Sequence, residues 1–118
     1  MLSSATPFRV LAAGSTNATV LKASPGALWD VECFHINDAP VYVHFYNLAT
    51  TPDENSTPVF TLAIPANSTA ANGAGNNASF PSGKTFTVGI AYRIVKGIAT
   101  ASTTAVDASE VLLSGSYS

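Results

Sequence analysis

Two histidines, one cysteine and seven acidic residues are what this chain offers for metal or acid–base chemistry. Cys33 and His35 lie two apart in an apolar run. On a strand, that spacing puts both on one face. His44 falls on the next predicted strand. The three together are one ligand short of a closed tetrahedral metal site, no fourth stands out, and ordinary packed or surface residues are the preferred reading. Asp30 and Glu32 are also two apart, roughly 6–7 Å by strand rise, which resembles the separation of paired catalytic carboxylates. Two solvated acids on an outer strand face have the same spacing and are far commoner. No serine sits in a Gly-x-Ser-x-Gly elbow. Gly73-Ala74-Gly75 is followed by neither a helix nor a lysine, as a phosphate loop would require. Asp53-Glu54-Asn55 lacks the ligand spacing of a calcium loop. No catalytic, cofactor-binding or metal-binding residue is assigned, no cofactor is expected, and the chain is read as a non-enzyme.

The residues that could make a recognition surface are Tyr42, His44 and Tyr46, three amphipathic rings alternating along one strand face. Such rings can fill a subunit interface or stack on sugars. They can equally lie under one of the chain's own loops. Phe8, in the N-terminal segment, joins them as a candidate contact residue.

The elements that position these residues are strands. Period-2 alternation recurs, with turn residues between the runs. Phe8 to Leu11 and Thr19 to Lys22 are short strands, separated by a turn around Gly14, Ser15 and Asn17. Ala27 to Ile36 is a strand, with Trp29, Val31 and Cys33 on one face and Asp30 and Glu32 on the other. Phe34 and Ile36 break that pattern, so a bulge or burial on both faces is expected there. Asn37-Asp38-Ala39-Pro40 has strong turn chemistry. Val41 to Leu48 is the clearest strand, with Val41, Val43 and Phe45 opposite the three rings. Pro58 to Ile64 follows, with Phe60, Leu62 and Ile64 inward. Pro65 to Gly83 is rich in Asn and Gly and is expected to be a long mobile excursion, with a short strand around Ala78 to Phe80. Lys84 to Val95 alternates again, with Phe86, Val88, Ile90, Tyr92 and Ile94 on one face. Gly97 to Ser109 reads as a strand or extended loop, and Glu110 to Tyr117 as the final strand. The expected fold is all-β: an antiparallel two-sheet sandwich, jelly-roll-like. Residues 25–118 form the sandwich domain, and residues 1–24 are a segment able to act as a capsid- or subunit-binding arm.

Composition narrows the partners. The chain has 118 residues, enough for one domain with its own core. Apolar residues make up 47%, but charged residues only 10%, against about 25% in a typical soluble domain. A net charge of -2 gives little mutual repulsion, and such a surface suits burial against other protein. The five basic residues, Arg9, Lys22, Lys84, Arg93 and Lys96, form no run. Nucleic-acid binding needs clustered positive charge, so no nucleic-acid partner is expected. No segment approaches the ~20 apolar residues of a membrane span, and the opening residues lack the pattern of a signal peptide. The single cysteine excludes an intrachain disulfide, which suits assembly in a reducing cytoplasm. Asn17, Asn55, Asn67 and Asn77 match the glycosylation pattern, read here as chance matches.

The run from Trp29 to Asn47, Trp-Asp-Val-Glu-Cys-Phe-His-Ile-Asn-Asp-Ala-Pro-Val-Tyr-Val-His-Phe-Tyr-Asn, resembles small virion proteins of tailed bacteriophages. So do the Thr-Pro-Val strand at Thr57 to Ile64, the Ile-Pro-Ala turn at Ile64 to Ala66, the Gly-Ile-Ala-Tyr-x-Ile block at Gly89 to Ile94, and the Thr- and Ala-rich stretch from Thr100 to Val111. The resemblance covers the chain from about Ala27 onward and rests on pattern. It implies a capsid decoration or cement protein, a structural virion component on the outer capsid surface, made in the host cytoplasm. The implied partners are the major capsid protein and further copies of the chain, as a trimer or dimer. It brings no catalytic residues. The Asn-rich segment from Asn67 to Gly83 is longer than the resemblance leads one to expect. The rival reading is a receptor- or glycan-binding module of a phage head or tail fibre, using the Tyr42, His44 and Tyr46 face.

Overall fold

A computed structural model describes residues 5–67 and 73–118. They form eight strands and no helix: β1 (Thr6–Leu11), β2 (Thr19–Lys22), β3 (Gly26–His35), β4 (Val41–Tyr46), β5 (Phe60–Ile64), β6 (Ala74–Phe86), β7 (Ile90–Val95) and β8 (Val111–Tyr117). Two four-stranded antiparallel sheets result, sheet A in the order β1-β8-β3-β6 and sheet B in the order β2-β7-β4-β5. The all-β, two-sheet sandwich expected from the sequence is the observed architecture.

Alternation decides which side chains meet between the sheets. Leu28, Val31, Cys33, Phe86, Val111 and Leu113 project from sheet A into the core. Val41, Val43, Phe45, Leu62, Ile64, Ile90, Tyr92 and Ile94 meet them from sheet B. Phe45 contacts both Phe60 and Tyr92, each with ring centroids 6.1 Å away. Burying a side chain of this size contributes roughly 1.5–3 kcal/mol, so the inner face is the chief source of cohesion.

Four expectations need correction. First, residues 6–22 are not a free arm. β1 pairs along β8 from Thr6↔Tyr117 to Leu11↔Leu112, and β2 pairs with β7, so the segment gives one edge strand to each sheet. Met1 to Ser4 lie outside the described residues. Second, the expected excursion is largely strand: β6 runs 13 residues along β3. The part of that excursion from Ser68 to Asn72 lies outside the described residues. Third, the β3 bulge falls at Trp29, where the register shifts between Leu28 and Asp30, and not at Phe34. Opposite Trp29, residues 80–83 of β6 drop out of the ladder, since Asp30 pairs with Ser79 and Leu28 with Lys84. Pro81 is tolerated there because no ladder hydrogen bond is asked of it. Gly83 has φ 76°, and a Cβ on it would lie 3.2 Å from the Trp29 ring. Fourth, the alternating run Lys84 to Val95 is two strands. It turns from sheet A to sheet B at Thr87 to Gly89, which leaves Val88 exposed on the corner.

Candidate functional site

β3 and β4 belong to different sheets, so Cys33 and His35 face the core while His44 points from the far side of sheet B. The imagined Cys33, His35 and His44 cluster therefore does not assemble, and no group of three or more metal-binding side chains is present among the described residues. Each member has its own structural place. Burial pushes the Cys33 thiol up to about 12, which makes it a packing residue rather than a nucleophile. His35 Nδ1 accepts the Asn37 backbone N–H at 3.0 Å, so its Nε2 carries the hydrogen and donates to the Pro65 carbonyl at 2.7 Å. Buried Asn37 then ties three loops together, through Glu110, Asp107 and Asn67.

Of the alternatives left open for the Tyr42, His44 and Tyr46 face, the observed one is cover by the chain's own loop. The three do share a face of β4, but Tyr46 and His44 are buried and only Tyr42 is partly exposed. The cover is the chain's own 96–110 loop, and Arg93 holds it down. This buried guanidinium donates to the Ser102 carbonyl at 2.6 Å, the Thr100 carbonyl at 3.2 Å and the Tyr46 hydroxyl at 3.3 Å. The loop is also tied by the backbone bond from Lys96 to Thr104 and by the Lys96–Asp107 ion pair at 3.4 Å. His44 pairs through Nδ1 with the Thr61 hydroxyl at 2.8 Å, while its Nε2 is buried without a hydrogen-bond partner. Burial, and next the Arg93 charge directly across the ladder, hold the His44 pKa below its usual 6.5, with the Gly97 backbone partly opposing. Phe8 is likewise turned inward. It packs on the edge of the core beside Tyr117, with ring centroids 6.1 Å apart.

Among the described residues, nothing covers the outer side of sheet A. Its side chains stand in three rows across the strands. Pro7, Ser116, Asp30 and Ser79 form one row; Arg9, Ser114, Glu32 and Asn77 the next; Leu11, Leu112, Phe34 and Gly75 the third. The central strand β8 contributes only small hydroxyls to the first two rows. They bond sideways to the acids, Ser114 to Glu32 at 3.1 Å and Ser116 to Asp30 at 3.0 Å. A shallow trough of about 560 Å³ runs between those rows. The third row is apolar. Leu11 is 53% exposed and Phe34 47%, and Ile36 beyond the end of β3 is also 47% exposed. Sequence reading placed Asp30 and Glu32 correctly as outward acids, but passed over Leu11, Leu112 and Phe34 as surface residues. The available signal was the break in alternation at Phe34 and Ile36, where apolar residues occupy the positions that Asp30 and Glu32 hold earlier in the strand. Arg93 was missed as an organising residue; a lone arginine inside an apolar strand was the signal there.

Comparison with known protein families, curated proteins and solved structures finds no match for this chain.

Proposed function

We propose that this protein is a structural virion component that decorates and stabilises a bacteriophage capsid, bound to the major capsid protein on the outer surface of the shell. The carrying observation is the bare outer face of sheet A, with its apolar Leu11, Leu112, Phe34 and Ile36 end, on a module with only 10% charged residues. Exposed apolar rows bordered by polar ones favour protein–protein contact, and weak charge lowers the repulsion between crowded neighbours. The sequence resemblance to small phage virion proteins points the same way. So does the nested strand pairing, 1 with 8, 2 with 7, 3 with 6 and 4 with 5, which supports reading the sandwich as a jelly roll. Stabilisation would be additive, many modest contacts being repeated by the symmetry of the shell. The glycan-binding alternative loses its main support, since Tyr46 and His44 are buried.

The test is co-sedimentation of purified protein with bare capsids, followed by heating of the decorated and bare particles. Saturation at a ratio fixed by shell symmetry, with a higher rupture temperature, is the expected result. Protein that stays in the supernatant at all concentrations defeats the proposal.

A further inference from the structure

The geometry points to a second copy of this chain as the occupant of the outer face of sheet A, packed face to face about a two-fold axis that runs parallel to the strands above β8. The inference rests on reading that face as an assembly surface, and with the face taken by the second copy the dimer would meet a capsid through its other surfaces.

The face is complementary to itself. β8 is flanked by β1 on one side and β3 on the other. A two-fold axis along β8 keeps each row at its own level and exchanges left with right, so β1 of one copy lies over β3 of the other. Arg9 then meets Glu32 of the second copy, because both pair with Ser114 and share a row. Leu11 meets Phe34, since both pair with Leu112, and Leu112 meets its own counterpart on the axis. Pro7 meets Asp30 at the polar end. Every off-axis contact occurs twice, as an isologous interface demands. Ser114 and Ser116 keep the centre low, which lets two sheets approach to the usual ~10 Å. Arg9 and Glu32 are exposed, and neither makes an ion pair among the described residues. Placing the axis between β8 and β3 instead would set Arg9 against Asn77 and Ser114 against Glu32, so the charge pattern selects β8. Three overlapping strands and three side-chain rows cover on the order of 400–500 Å² per partner, about half of a standard interface. The dimer is therefore concentration-dependent in free solution.

The experiment is sedimentation velocity on the full chain from about 10 µM to about 1 mM, a range chosen for weak association. Wild type should move from monomer to dimer. Arg9→Glu and Glu32→Arg should each weaken the dimer by about tenfold or more, because each creates two like-charge contacts. The double variant R9E/E32R should recover it. Circular dichroism of each variant checks the fold, and both positions are exposed. A monomer throughout, a trimer, or a double variant that fails to recover the dimer overturns the inference. Capsid co-sedimentation of the same variants is read separately: capsid binding by a protein that never dimerises defeats this inference and leaves the virion proposal standing, while a dimer that ignores capsids does the reverse.

Discussion

His44 and Arg93 are cross-strand partners buried together under a loop, and neither has a carboxylate to balance it. The Arg93 guanidinium is met by the carbonyl dipoles of Thr100 and Ser102. His44 responds the other way, its protonated form being disfavoured first by burial and then by the guanidinium. The folded-state pKa is therefore below the unfolded value of 6.5. As pH falls through that value the unfolded chain takes up a proton that the folded chain refuses, so stability is full above about pH 6.5 and declines from there down to the lowered pKa. Urea denaturation between pH 7.5 and 5.5 should show this decline in the wild type and a flatter profile in His44→Asn, whose side chain keeps a partner for Thr61 but does not titrate. Equal slopes would mean that His44 is not the group responsible.

Among the elements, the 96–110 loop has the clearest single anchor. Arg93→Ala removes three hydrogen bonds made by a charged donor and leaves a void over Tyr46. The expected loss is about 2–4 kcal/mol of stability, read from the denaturation midpoint, with faster amide exchange at residues 97–104. Unchanged exchange there would show that the Lys96–Asp107 end alone secures the loop. This element also marks where sequence reading stops. The alternation of β4 placed Tyr42, His44 and Tyr46 on one face correctly, yet nothing in a Thr- and Ala-rich stretch announces that it folds back over that face. β6 was hidden for a related reason. An edge strand of Asn, Ser and Gly exposes most of its side chains, so it carries little apolar periodicity, and its pairing with β3 is specified by the partner strand. β4, β5 and β7, with a buried inner face throughout, were legible because burial forces the pattern.

For the whole molecule, the placement of β1 changes what a truncation means. An arm could be removed without harm. Here, deleting residues 1–8 takes away half of the β1 ladder and the Phe8 ring that packs beside Tyr117. The truncated chain should be less stable by about 2–4 kcal/mol, seen as a lower urea midpoint with weakened protection in β8. A midpoint equal to wild type would restore the arm reading. The fold class was readable from alternation and turn chemistry alone. The pairing order was not, because a strand's own residues record which face is buried and not which neighbour lies beside it. Two of the corrected readings, the Cys33, His35 and His44 cluster and the single strand through Val88, arose from assuming that consecutive strands share a sheet.

The nested pairing also has a consequence in time. β4 and β5 are close in the chain, whereas the partner of β1 is β8, on the far side of every other strand. Closing short loops costs less entropy than closing long ones, so the ribbon zips from its middle outward and the outermost pair closes last. On the ribosome, β1 is made before the other seven strands and has no native neighbour until β8 emerges. During that interval its exposed Leu11 edge is open to other nascent chains. Its short length and the proline at position 7 are the features that limit mispairing while it waits.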